Sequence, residues 1–412
     1  MLGVEHAIFP REDNQDSPKL DFARAFGDSV TSAVRCSAVV TTTPQAKLYD
    51  FAPAQQMTAI PLFPNARPSF RQELKQRVEQ YFAEHGIRPS GNWALYLKTI
   101  LISLSFAGIY TWLVFFSPGT WGAIALCMLL GANVAAVGFN IMHDGSHGSF
   151  SRYPWLNRLA AGSLDFIGAS SFMWKLKHNV IHHTYTNIDG WDDDLDIRPW
   201  MRMTANQKRY FFHRFQHIYF ILLYGFLHLS WVSVMDFQKY FSGKIGPVEL
   251  TQMTLTDHLV FWGSKLCFAL VFVLVPLLQV GLVHYLAGFL IFTFTVGVII
   301  SVVFQLAHTV EEVEFPLPLE GNQMEDEWAV HQVKTTANFA TRNPIVTWFV
   351  GGLNFQIEHH LFPKISHIHY PAISRIVKKT SAEFGLKYNE FKSVHSAVIA
   401  HFLLLRKMGA AA

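Results

Sequence analysis

The stretch "HNVIHH" packs His178, His182 and His183 into six residues. "HDGSH" sets His143 and His147 four apart, and "QIEHH" places His359 and His360 three and four residues after Gln356. His308 stands in "FQLAHTVEE". Neutral imidazole is a good metal ligand, and residues three or four apart share one face of a helix. Buried together without partners, these rings would leave many ring nitrogens unpaired, and a metal satisfies them. The competing reading, a histidine-rich surface in water, needs no such spacing. One zinc takes about four ligands, so eight histidines point to two metals with open positions. Imidazole suits Zn, Cu, Fe and Ni alike, and spacing does not choose among them. Cys36, Cys127 and Cys267 are far apart with no CxxC, which argues against a thiolate site or a disulfide framework. The scattered His213, His217, His228, His258 and His284 read as structural.

The elements that must position these residues are membrane elements. Half of the 412 residues are hydrophobic and 15% are charged, against roughly a quarter charged in soluble domains. A net charge of +3 gives no case for a nucleic-acid partner. Four apolar runs, near 97–116, 119–141, 259–281 and 284–306, suit bilayer spans of about 20 residues. Short linkers without Lys or Arg join them into two hairpins. The Lys/Arg-rich stretches 67–98, 175–214 and 334–375 lie outside the hairpins, so the positive-inside rule puts both termini and every histidine cluster on the cytoplasmic side. The run 218–235 is long enough to span. Counting it would separate the second and third clusters, so it reads as packed on the domain or lying in the interface, as does 155–174. The expected fold is therefore all-α: four transmembrane helices in two hairpins, with a cytoplasmic helical domain holding a two-metal site. Residues 1–56 read as a disordered extension, dispensable up to Met57, and not as a signal peptide. Residues 57–92 carry a cytoplasmic amphipathic helix with a Ser69/Gln72 capping box and a stop at Gly86, resting on the protein or on anionic lipid. Residues 93–375 form the membrane domain and 376–412 a C-terminal cytoplasmic helical segment.

HDGSH, HNVIHH and QIEHH, in this order and interrupted by a hairpin, resemble the membrane fatty-acid desaturases. The likeness covers roughly residues 90–375. The Gln-led third cluster resembles the front-end subgroup, which inserts a double bond between an existing one and the carboxyl end. The resemblance implies a non-haem di-iron centre, O2 as co-substrate and electrons from a separate donor of ferredoxin or cytochrome b5 type. It implies an acyl chain carried by CoA, carrier protein or lipid. Its iron ligands fall on His143, His147, His178, His182, His183, His308, His359 and His360. Two departures stand out. There is no HPGG haem motif of a fused cytochrome b5 domain. Phe304 occupies the place where stearoyl-type relatives carry an Asn, leaving Gln356 or Gln305 as candidates for a weak or water-mediated ligand.

Desaturation removes hydrogens from unactivated CH2 groups, which no side chain does unaided; the cofactor supplies the oxidising power and the protein orients the chain. No nucleophile or catalytic triad is expected. Carboxylates that fix the imidazole rings are sought among Asp144, Asp196, Glu311 and Glu358, with Asp189, Asp192, Asp193 and Asp194 in the same acidic run, which reads equally as a solvated loop. Candidates for substrate contact are Trp174, Lys175, Lys177, Arg198, Arg202, Thr335, Thr336 and Asn338. A di-iron lipid hydroxylase or a sphingoid-base desaturase would use the same site. A haem electron carrier needs only one or two facing axial histidines, and a metal transporter needs polar ligands inside its spans; the clusters here are too many and lie past the span ends.

Overall fold

The computed structural model describes residues 60–116, 118–250 and 253–410. The expected disorder of residues 1–56 lies outside them. The described chain is mostly helical. Five helices, not four, are long and apolar enough to cross a membrane: Trp93–Phe115, Thr120–His147, Phe211–Ser242, Leu255–Val280 and Leu282–His308. The additional one contains the 218–235 run, whose apolar composition alone suits a span and an interfacial helix equally.

The helices Thr120–His147 and Leu282–His308 run side by side in the same direction. Gly288 sits at Cys127, Gly131 at Phe292 and Thr295, and Phe139 at Phe304. Both therefore deliver their C-terminal histidines to one end of the bundle. The approach is close: a Cβ on Gly131 would lie 2.8 Å from the Thr295 Cβ. Leu255–Val280 turns straight into Leu282–His308 at Gly281, whose φ of 79° and ψ of 162° belong to a region that glycine alone occupies freely. Phe211–Ser242 crosses Leu282–His308 at Gly225 and Gly297, where a Cβ on Gly297 would lie 2.5 Å from the carbonyl oxygens of Tyr224 and Gly225.

Two stretches beside the histidines are wound as π-helix, Gly138–Met142 and Lys175–His182. In this winding an N–H reaches back five residues, and the His183 N–H bonds the His178 carbonyl. That corrects the α-helical reading of HNVIHH and gives the i, i+5 spacing a physical meaning: His178 and His183 are neighbours across one π turn. The 155–174 run breaks into short helices, Pro154–Ala161, Ser163–Phe166 and Ser171–Trp174.

The polar domain packs over this end of the bundle. Phe70–His85 starts at Ser69, whose hydroxyl accepts from the Gln72 N–H at 3.3 Å, and stops at Gly86 with φ 60°. Its stripe Phe70, Leu74, Val78 and Phe82 is buried against Ala329, Val333, Ile373 and Val377, so its apolar face rests on protein. Asn338–Phe339 pairs in parallel with Glu390–Phe391, tying the C-terminal segment to the domain.

Candidate metal centre

The histidines of all three clusters and His308 converge. Ligand-capable nitrogens of His143, His147, His178 and His359 all lie within 4.8 Å of one another, as do those of His182, His308 and His360. His183 joins the two groups, within the same limit of His359 and His360. The His178 and His183 Nε2 atoms are 3.3 Å apart. Seven of the eight rings are buried, and His147 is half-buried.

Three rings are held from behind by one nitrogen. His182 Nδ1 lies 3.0 and 3.1 Å from the two oxygens of buried Asp192. His360 Nδ1 donates to Gln332 Oε1 at 2.8 Å, and His359 Nδ1 to the Tyr370 hydroxyl oxygen at 3.2 Å. In each case the other nitrogen, Nε2, is buried with no hydrogen-bond partner. His143 has neither nitrogen paired. Unpaired buried polar atoms are costly, and a cluster of them aimed together is what a metal relieves. Burial, reinforced by the neighbouring imidazoles, pushes His178, His183, His359 and His360 well below the ordinary imidazole range, so they are neutral and ready to ligate. Burial also opposes charge on His182, but the Asp192 carboxylate, by charge and hydrogen bond, holds it above the ordinary value. The donor set, nitrogen-rich and without thiolate, fits two imidazole-bound metals.

Asn187 braces this assembly. It adopts φ 59°, a conformation asparagine tolerates, and its Nδ2 donates to the carbonyls of His308 at 2.8 Å, and of Glu314 and Thr335 at 3.2 Å. An apolar slot reaches His143 from the bundle side, lined by Phe139, Met142, Leu164, Trp174, Trp231, Ile300 and Phe304. Trp174 also stacks on His178, with centroids 4.3 Å apart.

The structure redistributes the other expected residues. Asp144 is buried but accepts from Ser366 Oγ at 2.6 Å and lies 3.0 Å from His367 Nδ1, not on a cluster imidazole. Glu358 accepts from Asn338 at 2.8 Å and Tyr388 at 2.9 Å, and burial pushes it up to about 7. Asp196 pairs with Arg198 at the surface at 2.6 Å, which removes both from the site. Glu311 is exposed. Lys177 is committed to Asp194 at 2.7 Å, and the Arg202 guanidinium to backbone carbonyls of Gln207 and Met408. Thr335 and Thr336 hydroxyls bond carbonyls of their own helix. Gln305 accepts from the Thr309 hydroxyl at 2.6 Å. Asp189 accepts from Thr204 and Gln207. Gln356 is fully buried with its Oε1 unpaired, one turn before His359 and His360. Of the substrate candidates, only Trp174 lines the slot. Gln332, Tyr370 and Asn187 are the positioning residues that sequence reasoning missed. The only signal was polar side chains inside helical runs, as in "HQVKTT".

The family model for fatty acid desaturases matches residues 119–392. The sn-1 linoleoyl-lipid 6-desaturase of Arthrospira platensis is 40% identical over 342 residues, covering 82% of this chain and 92% of that protein. A relative of the same name from Synechocystis sp. is 39% identical over 350 residues, covering 83% and 96%. The acyl-lipid (8-3)-desaturase of Physcomitrium patens is 39% identical over 342 residues, covering 82% and 71%. A match of this extent, across all three histidine clusters, makes the chain a member of the fatty acid desaturase family and an oxidoreductase that desaturates fatty acyl chains.

Proposed function

We propose that this desaturase acts on an acyl chain carried by a membrane lipid, inserting a cis double bond on the carboxyl side of an existing one, with two irons, O2 and a separate electron donor. One observation carries the metal assignment: bare Nε2 atoms on His182, His359 and His360, each ring anchored through its Nδ1. In this reading His143, His147, His178 and His359 hold one iron. His182, His308 and His360 hold the other, and His183 lies between them. The irons supply the oxidising power towards O2. The chain's own residues do the rest. Asp192, Gln332 and Tyr370 fix ring orientation, and Gln356 offers a weak neutral contact. The apolar pocket beside His143 marks the side from which the acyl chain would approach, and each CH2 buried there would gain about 0.8 kcal/mol. Over one turnover two hydrogens leave adjacent carbons, two electrons and two protons arrive, and O2 becomes two waters. The acyl-lipid substrate and the front-end position rest on the relatives' names and on the Gln-led third cluster.

The proposed topology is four spans, with the site and both ends of the chain on the cytoplasmic side. Because His182 meets His308, with ring centroids 4.7 Å apart, the chain between them would cross the bilayer an even number of times. The helix Phe211–Ser242 is the one that stays on the site's side. Lys239 near its C-terminus bonds Asp193 at 3.0 Å, while His213 and Tyr219 near its N-terminus bond the carbonyls of Pro199 and Trp200 at 2.8 and 2.7 Å. Both ends thus hold one short loop. Exposed Trp93 at one end of the first span, and Trp112, Phe116 and Trp121 at the other, suit two interfacial belts. The test is expression in a host of known lipid composition, with fatty acids profiled by mass spectrometry per lipid class. A new double bond nearer the carboxyl group of a lipid-bound, already unsaturated chain is expected. No new unsaturated product in any class overturns the reading.

A further inference from the structure

Between Leu259 and Gly281 the sequence carries one charged residue, Lys265. A charge inside a span is costly and calls for a partner. Three acceptors match the three N–H donors of its ammonium: the Asp236 carboxylate at 2.6 Å, the Gly168 carbonyl at 2.7 Å and the Val232 carbonyl at 3.3 Å. Asp236 is 1% exposed and accepts two further bonds, from the Ser170 N–H at 2.8 Å and the Trp231 indole N–H at 3.1 Å. These partners belong to the walls of the apolar slot. Ile167 and Ala169, on either side of Gly168, line it, and so does Trp231. The Trp231 N–H is satisfied by Asp236, which is not on the slot, so the ring meets the slot as hydrocarbon. Ser170 Oγ accepts from the Met173 N–H at 3.3 Å and begins the helix Ser171–Trp174. Trp174 lines the slot as well, stacked on His178. One carboxylate thus holds both walls, Trp231 directly and Trp174 through Ser170. The walls stand at different depths. His228, three residues before Trp231 and also on the slot, has its ring 5.8 Å from that of Phe292. Phe304, 6.0 Å from His178, is twelve residues further along the same helix, about 18 Å.

We propose that Asp236 and Lys265 are positioning residues for regioselectivity: by fixing Trp231 relative to Trp174 they set how far an acyl chain runs past the metal centre, and so which two carbons lie against it. This rests on the reading of the slot as the acyl chain's approach to that centre. A buried ion pair is a poor way to gain stability, since well-packed apolar residues of similar volume often do as well. What this pair adds is direction. It joins the span Leu255–Val280, the helix Phe211–Ser242 and the Gly168–Ser170 segment at fixed hydrogen-bond lengths, on the outer side of the slot walls. Neither Asp236 nor Lys265 lines the slot, so both act on the chain only through the residues they hold.

The experiment expresses the full chain in a host whose lipids carry linoleoyl chains, the substrate named for the Arthrospira and Synechocystis relatives. Double-bond positions in the products are read by mass spectrometry, with iron per chain on the same preparations. Wild type should give one new double bond at one position; no product at all overturns the functional reading and this inference with it. Asp236→Leu with Lys265→Met removes both charges, which a core tolerates better than one charge left unpaired. It should keep its iron, lower the yield of the normal product by about ten- to hundredfold and add products with the new bond displaced along the chain. Asp236→Asn, which keeps the shape and one acceptor oxygen, should shift the product distribution the same way by less, and it decides the case if the double variant does not accumulate. A lower yield at the single wild-type position in every variant that accumulates would make the pair a fold-stabilising contact only and overturn the proposal.

Discussion

Asp192→Asn tests the logic of the site at one atom. His182 Nδ1 lies 3.0 and 3.1 Å from the two carboxylate oxygens, and both side chains are buried. The same carboxylate accepts the backbone N–H of Asn187 at 2.9 Å and of Asp194 at 3.1 Å. Asparagine keeps the shape but has one acceptor oxygen for these three donors, and it removes the charge. A charge-assisted hydrogen bond is roughly twice as strong as a neutral one, and losing such a partner behind a metal-binding imidazole typically costs 10–100-fold in metal affinity. That is about 1.4–2.7 kcal/mol. The internal control is Asp196→Asn, four residues on. Asp196 pairs with Arg198 near the surface, where an ion pair contributes about 0–1 kcal/mol. The assay is iron retained per chain against chelator concentration, on detergent-purified protein. Asp192→Asn should release iron at 10–100-fold lower chelator, and Asp196→Asn should follow wild type. Equal curves for the two variants would refute the argument that Asp192 positions His182.

Three further outcomes follow from the geometry. Gln356→His should keep iron but lose much of its turnover, because a stronger ligand would close a position the chemistry needs open, while Gln356→Ala should lose turnover with modest metal loss; product yield and iron on the same preparations decide it, and wild-type turnover in Gln356→Ala would reduce the residue to packing. Gly297→Val should destabilise by about 1–3 kcal/mol or more, because its Cβ would meet two carbonyl oxygens at 2.5 Å, whereas Gly108→Ala, with open space around it, should leave the thermal midpoint no lower. A chain starting at Met57 should remain active, but one starting at Ser69 should not: Leu62 bonds backbone with Asn322 and Met324, and Phe63 packs on Tyr185 and His331 beside the second cluster.

The histidines that converge were legible as clusters because their spacing is local: one helix turn puts each set on a face, whatever the rest of the chain does. The paired apolar runs were readable for the same reason. The positioning residues were not. His360 and Gln332 are 28 residues apart, and Asn187 reaches the His308 carbonyl across 121; such pairs exist only after folding. Within "WDDDLD", four carboxylates cannot be ranked by composition, yet Asp192 faces His182, Asp193 and Asp194 pair with Lys177, and Asp196 takes Arg198. The π winding at Lys175–His182 was also hidden, since it depends on packing of the turn and not on any residue type. The 218–235 run stayed ambiguous because the same apolar residues suit a span or a helix braced across the bundle. Hydrogen bonds from Lys239 and His213 to one loop support the second reading.

Metal analysis of protein purified anaerobically with iron bears most directly on the central claim. Eight converging histidines, in groups whose nitrogens lie within 4.8 Å, predict two irons per chain, with oxygen-dependent desaturation rising in step with iron content. A preparation fully active with stoichiometric zinc, or saturating at one metal per chain, would contradict it.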